Sequence, residues 1–188
     1  DTARYFHRDP TAGFFMAAEY PILMFGLPAA ALAMILAAKK ENRKKISSMM
    51  ISAAFVAFLT GITEPIEFSF IFVAPILFVF HVAAAFLSGL ITSFLKIRLG
   101  YTFSASFIDY VLGFKFAGRP WLIWIVGLGF FILYFVVFYF TIKLLNIHTP
   151  GREDGDTSTN KKFENIKGIE KSKAVLRSEE RRVGKECM

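Results

Sequence analysis

Cysteine and histidine are scarce in this sequence, and their scarcity excludes several kinds of site. The 188 residues contain one cysteine, Cys187, and three histidines, so no disulfide bond can form within the chain. The histidines at positions 7, 81 and 148 are far apart, and neither an HExxH motif nor paired CxxC motifs occur. A glycine-rich phosphate loop is missing as well. The sequence therefore predicts no metal site and no cofactor.

Charged residues are also few, and long apolar runs take their place. Only 20% of the residues are charged, whereas 55% are hydrophobic, 23 are Phe and the mean hydropathy is +0.49. Water-soluble domains rarely have this composition. A helix needs about 20 mainly apolar residues to cross a bilayer, and the clearest such run covers residues 121–145. We therefore predict an all-α, polytopic membrane protein.

The basic residues indicate an orientation in the membrane rather than a nucleic-acid partner. The net charge is +7, and residues 1–150 hold 12 Lys and Arg against 7 Asp and Glu. The densest cluster, at positions 39–45, lies between two apolar blocks. Cytoplasmic loops of membrane proteins carry an excess of Lys and Arg. We expect this cluster to form a cytoplasmic loop, with the lipid bilayer as the partner of the flanking blocks.

The first apolar block, residues 14–38, contains residues that bend or weaken a helix. Pro21, Gly26 and Pro28 lie in its middle, and proline and glycine interrupt helical hydrogen bonding. Such breaks persist in lipid only where protein or water satisfies the freed backbone groups. We expect this block to face neighbouring helices or a cavity, which would also accommodate Glu19.

A polar break follows the second apolar block. Residues 46–60 are apolar, Gly61-Ile62-Thr63-Glu64-Pro65 interrupts them, and an apolar run then continues to residue 95. Fifteen residues are short for a full crossing. The pattern predicts a broken helix or re-entrant hairpin whose tip, at residues 61–65, lies within the bilayer.

Two interpretations of the carboxylates at this break stay open. Inserting a charged side chain at the centre of a membrane helix costs about 2.5 to 3.5 kcal/mol of free energy. The presence of Glu64 and Glu67 therefore needs an explanation. They could begin a new helix, with Pro65 in its first turn and the acids favoured by the helix dipole. Alternatively, one carboxylate accepts hydrogen bonds from a polar solute in a solvated pocket. His81 could either line that pocket or bond a neighbouring helix.

The stretch from residue 99 to residue 110 also permits two interpretations. Its sequence, LGYTFSASFIDY, combines aromatic rings, hydroxyl groups and one acid. Such groups suit a sugar, whose faces stack on rings such as that of Phe103 while its edges need donors and acceptors. The same composition is typical of an interfacial segment with aromatic anchors.

Several short motifs share one resemblance. They are GITEPIEF at 61–68, FVAP at 72–75, DPTAG at 9–13, MFGLPAA at 24–30 and TPGRED at 149–154. Together they resemble the membrane (IIC) domain in the glucose and N-acetylglucosamine branch of the bacterial phosphoenolpyruvate-dependent phosphotransferase system. The resemblance covers most of residues 4–154.

This resemblance implies the C-terminal, transport half of a homodimeric, multi-pass sugar permease in the bacterial cell membrane. The dimer contacts would lie in a preceding N-terminal half. A IIB domain, fused or separate, would carry a phosphocysteine and phosphorylate the sugar. No residue here matches that cysteine motif, so whether the segment counts as an enzyme stays open. The implied substrate-binding residues are Gly61, Ile62, Thr63, Glu64, His81 and Phe103, and the structural residues are Gly26, Pro28, Pro65 and Glu67.

The substrate and the transport mechanism each have an alternative. The stretch FSASFIDY at 103–110 is closer to N-acetylglucosamine permeases than to glucose permeases, so N-acetylglucosamine is favoured over glucose. A different class, an ion- or proton-coupled sugar carrier, would use Glu64 or Glu67 as its proton site.

The composition changes sharply after residue 150. We assign residues 1–150 to the transport part and residues 151–176 to a polar linker. Residues 177–188 resemble the translation of an adapter oligonucleotide and are expected to be a non-native tail.

Overall fold

The computed structural model describes residues 1–152, and helices dominate this part of the chain. The proposed linker and tail lie almost wholly outside the described residues. The helices, in chain order, are α1 (Thr2–Phe6), α2 (Phe14–Ala17), a π-helical segment (Pro21–Gly26), α3 (Leu27–Ala37), α4 (Lys40–Thr60), α5 (Glu64–Ile71), α6 (Pro75–Phe94), α7 (Phe107–Gly113), a 3-10 turn (Phe114–Phe116) and α8 (Leu122–Leu144). The described residues contain no strand beyond one isolated bridge, between Arg98 and Gly118. The all-α prediction is confirmed.

Within residues 1–152, three segments are long and apolar enough to cross a membrane: Phe14–Ala37, Pro75–Phe94 and Leu122–Leu144. In the second and third segments, 22% and 28% of the most apolar stretch is buried inside the protein. In the first segment this share is 72%. The proline and glycine residues of the first segment predict that it faces other helices, and its high burial confirms this prediction. The multi-pass prediction is confirmed as well.

Gly26 and Pro28, which the sequence predicts to be structural residues, lie where two helical segments meet. Gly26 ends the π-helical segment, and a Cβ added there would lie 2.9 Å from the ring of Tyr134. The missing side chain therefore lets α8 approach the first span closely. Pro28 lies in the first turn of α3, where its missing N–H is not needed.

The basic cluster at positions 39–45 belongs to a helix, so the prediction of a loop is wrong. α4 begins at Lys40 and continues without interruption to Thr60. Lys, Glu and Arg are good helix formers, and Arg43 caps the preceding helix by donating to the carbonyls of Leu36 (2.8 Å) and Ala38 (3.4 Å). Hydropathy indicated only the apolar part of α4, residues 46–60. This part alone is about 22 Å long.

The chain reverses its direction at the polar break, as the predicted hairpin requires. Near the end of α4, Phe58 packs on Phe25, whose ring contacts Trp124 at the start of α8. Near the end of α5, Phe70 packs on Phe138, far along α8, with ring centroids 5.0 Å apart. α4 therefore runs antiparallel to α8, whereas α5 runs in the same direction as α8. The broken-helix prediction is confirmed, whereas the depth of the tip in the bilayer stays a prediction.

Cysteine labelling should place the start of α4 on the cytoplasmic side. Glu41 is exposed, and Glu41→Cys should react with a membrane-impermeant reagent only from the cytoplasm, because basic residues cluster there. Leu144→Cys should react from the same side, since the Lys39 N–H bonds the Gly151 carbonyl just beyond α8. Trp121→Cys, at the other end of α8, is the matched control for the outer side. Labelling of Glu41→Cys only from outside would reverse the proposed orientation.

Candidate functional site

The polar break is built from a helix end and a helix start. Gly61 ends α4 with a φ of +76°, and its N–H donates to the carbonyl of Ala57 (2.9 Å). The Thr63 carbonyl then accepts from the N–H groups of Ile66 and Glu67, both at 3.0 Å. Pro65 lies in the first turn of α5 with both glutamates. Pro65 and Glu67 therefore lie where a role in starting a helix requires them, and that role stays a prediction.

The Glu64 carboxylate lies at this break and is open to a ligand. Its side chain is exposed, while Thr63 beside it is buried and Ile62 is exposed. Within residues 1–152, neither carboxylate oxygen of Glu64 has a hydrogen-bond or ion-pair partner. The N-terminal end of a helix also favours nearby negative charge. The Glu64 carboxylate can accept hydrogen bonds from a ligand without first losing a protein partner.

The loop at residues 101–106 packs directly against the break. The Ser104 hydroxyl donates to the Gly61 carbonyl at 3.2 Å, and Phe107 stacks on Phe58 of α4 with ring centroids 5.3 Å apart. Phe103, next to Ser104, is 73% exposed. The structure therefore brings this loop to Gly61 and leaves one aromatic ring of the loop free for a ligand.

The other polar groups of this loop are committed to protein bonds. The carboxylate of Asp109, which is only 4% exposed, accepts from the Thr102 N–H (2.8 Å) and hydroxyl (2.6 Å) and from the N–H groups of Phe103 and Ser104. Ser106 caps α7 by accepting from the Asp109 N–H. These groups serve the loop itself, and their contact with a sugar stays a prediction. The Ser-x-x-Asp spacing, typical of a helix start, could have indicated their role.

The hydrogen bonds of Asp109 predict how the loop responds to pH. Burial alone would raise the pKa of Asp109, but the bonds from Thr102, Ser104 and Phe103 hold it below its usual range. A lowered pKa stabilises the fold above about pH 3.9, the value in the unfolded chain, and this stabilisation is lost as the pH falls through the folded value. Asp109→Asn should therefore cost about 2 kcal/mol of unfolding free energy at neutral pH.

Thermal unfolding at several pH values would measure this cost. The difference between wild type and Asp109→Asn should shrink as the pH falls below about 4. Asp9→Asn is the matched control, because the Asp9 side chain is 31% exposed and should cost less. An Asp109→Asn protein as stable as wild type at neutral pH would contradict the assigned role.

His81 makes its hydrogen bond to a residue of α8. Its Nδ1 is 3.0 Å from the hydroxyl of Tyr134 on α8, so the prediction of a bond to a neighbouring helix is confirmed. His81 also lines a largely apolar cavity of about 550 Å³ between the first span and α6. Glu19 lines the same cavity and accepts from the Tyr101 hydroxyl at 2.8 Å. Because Glu64 is not part of this lining, a substrate-binding role for His81 stays a prediction.

Comparison with known proteins gives consistent matches. The family described as "Phosphotransferase system, EIIC" matches residues 2–86. The N-acetylglucosamine-specific EIICB component of Bacillus subtilis (strain 168) is 53% identical over 156 residues, which are 83% of this chain and 34% of that protein. The N-acetylglucosamine-specific EIIC component of Streptomyces coelicolor is 52% identical over 153 residues, or 81% of this chain and 37% of that protein.

A glucose-specific relative is almost as similar. The EIICBA component of Staphylococcus carnosus (strain TM300) is 50% identical over 151 residues, which are 79% of this chain and 22% of that protein. The chain thus spans about a third or less of the length of these relatives. The similarity extends well beyond the few motifs that the sequence singled out.

Proposed function

Because the chain belongs to the EIIC family of the phosphotransferase system, we propose that the intact permease binds a sugar at the break between α4 and α5. The sugar crosses the bacterial cell membrane and is phosphorylated during uptake. The observation that carries this proposal is Glu64, at the tip of a helical hairpin, whose exposed carboxylate has no protein partner among residues 1–152. A membrane protein tolerates such a group where it is solvated or bound to a ligand.

The chemistry of the break suits a sugar hydroxyl. A hydroxyl that donates to an ionised carboxylate makes a charge-assisted hydrogen bond, which is stronger than a neutral one. Gly61, Ile62 and Thr63 supply backbone beside this carboxylate. The exposed ring of Phe103 belongs to the loop that contacts Gly61 and offers a face for the apolar side of a pyranose.

N-acetylglucosamine is the sugar that we propose, with glucose as the alternative. Two of the relatives named above are N-acetylglucosamine-specific, and their identities of 53% and 52% are close to the 50% of the glucose-specific relative. The stretch at 103–110 favours the same assignment. Its hydroxyls bond within the loop, so discrimination would depend on the shape of the loop and on Phe103.

Two protein partners belong to this proposal. The names EIICB and EIICBA of the relatives support a IIB domain, fused or separate, that carries the phosphoryl group on a cysteine. A second copy of the permease would pair through a part of the protein that precedes this segment. The phosphoryl group would pass from the IIB cysteine to the sugar: the S–P bond breaks, an O–P bond forms, and the hydroxyl proton goes to the thiolate that leaves.

Sealed vesicles that contain the intact permease would test this function. With phosphorylated IIB inside, labelled N-acetylglucosamine should accumulate as its phosphate, and without IIB no sugar phosphate should form. Uptake of unmodified sugar that depends on a proton gradient would instead support the coupled-carrier alternative. Glucose in the same assay would show which of the two sugars is preferred.

A further inference from the structure

The carbonyl of Gly61 depends on a residue far along the chain. Gly61 is the first residue of the break, directly after α4, and no residue of α5 bonds its carbonyl in the described part of the chain. The Ser104 hydroxyl, 43 residues away in sequence, donates to it at 3.2 Å. This bond is partly buried, and most backbone carbonyls in folded proteins have a hydrogen-bond partner. Ser104 therefore satisfies a group that the interruption of the helix left open.

The contact between Ser104 and Gly61 is close as well as polar. A Cβ added to Gly61 would lie 2.2 Å from the Ser104 Oγ and 2.5 Å from its Cβ. Only a glycine with a left-handed φ of +76° admits this approach. The serine and the glycine thus fix each other's position at the tip of the hairpin.

Ser104 is itself held in place by the carboxylate of Asp109. That carboxylate accepts the N–H groups of Ser104 (3.2 Å) and Phe103 (3.3 Å). These bonds give the loop a defined conformation before any ligand binds. The Ser104 hydroxyl connects this conformation to that of the break. Preorganisation of this kind raises affinity because less freedom is lost on binding.

We propose that Ser104 is a positioning residue for Glu64. Its hydroxyl holds residues 61–63 in the conformation from which α5 starts, and so it sets where the Glu64 carboxylate lies. This inference rests on the proposed function, in which Glu64 binds the sugar. Ser104 need not touch the sugar itself.

Two measurements on the intact permease test this role in Ser104→Ala. The dissociation constant for N-acetylglucosamine should rise about fivefold, which corresponds to the loss of one net hydrogen bond. Amide hydrogen exchange at residues 61–67 should become faster in the absence of sugar, because the break is held less firmly.

Ser88→Ala is the matched control. The Ser88 hydroxyl also donates to a backbone carbonyl of another element, that of Ala18 (2.6 Å). Its removal should lower thermal stability to a similar extent while leaving the dissociation constant and the exchange at 61–67 unchanged. An equal rise of the dissociation constant in both variants would reduce Ser104 to a general stabilising residue and overturn the inference.

A third variant separates this inference from the proposed function. If Glu64→Gln binds the sugar as tightly as wild type, the proposed function fails, and the exchange data alone decide whether Ser104 holds the break. If Glu64→Gln weakens binding but Ser104→Ala changes neither affinity nor exchange, the proposed function stands and the inference is wrong.

Discussion

Glu64→Gln should weaken the binding of N-acetylglucosamine to the intact permease by about tenfold or more. The substitution keeps the size of the side chain and removes the charge that the sugar hydroxyl would meet. A hydrogen bond to a charged group contributes about 1.5 to 3 kcal/mol, and 1.4 kcal/mol corresponds to a factor of ten in affinity. Because Glu64 has no protein partner within residues 1–152, folding should lose only the contribution of a first-turn acid, about 0.3 to 1 kcal/mol. Isothermal titration of the purified protein would measure the change.

Glu67→Gln is the matched control for this prediction. Both acids lie in the first turn of α5, but Glu67 is more buried than Glu64. A first-turn acid contributes about 0.3 to 1 kcal/mol to helix stability, so Glu67→Gln should lower thermal stability slightly and affinity much less. Equal and small losses of affinity in both variants would show that the two acids serve only to start the helix.

Gly61→Ala should destabilise the permease by roughly 2 to 5 kcal/mol. The left-handed φ of +76° costs an L-residue about 1 to 2 kcal/mol, and a methyl group 2.2 Å from the Ser104 Oγ adds the cost of overpacking, about 1 to 3 kcal/mol. The Asp109 carboxylate restrains the Ser104 backbone, so the loop cannot simply retreat. Sugar affinity should fall as well, because Glu64 and the start of α5 lie only three residues after Gly61.

A second substitution distinguishes the two causes of this loss. Ser104→Gly removes the two atoms closest to the added methyl group. The double variant Gly61→Ala/Ser104→Gly should therefore recover the stability lost to overpacking but not the stability lost to the left-handed φ. Gly129→Ala in α8 is the control, since a Cβ there meets no atom within 4 Å and alanine favours a helix. A Gly61→Ala protein as stable as Gly129→Ala would contradict the assigned geometry.

The features that the sequence predicted well are those with a local cause. The break follows from Gly61 and Pro65, which end one helix and start the next whatever surrounds them. The buried first span follows from Pro21, Gly26 and Pro28, because broken helices need protein neighbours in lipid. The span over Leu122–Leu144 follows from an uninterrupted apolar run.

The features that the sequence did not predict depend on contacts between distant segments. Hydropathy marked a loop at 39–45, yet helix propensity and the bond from Arg43 to Leu36 extend α4 to Lys40. The polar residues near Asp109 suggested a ligand, but they bond one another. His81 appeared close to Glu64 in sequence, whereas the direction of α6 places it beside Tyr134.

The most direct test of the central claim is an experimental structure of the intact permease with N-acetylglucosamine bound. The account predicts that a Glu64 carboxylate oxygen lies within about 3 Å of a sugar hydroxyl oxygen, at hydrogen-bonding distance. It also predicts that the ring of Phe103 lies near the sugar. A sugar bound only in the cavity lined by Glu19 and His81, with Glu64 out of reach, would contradict the account.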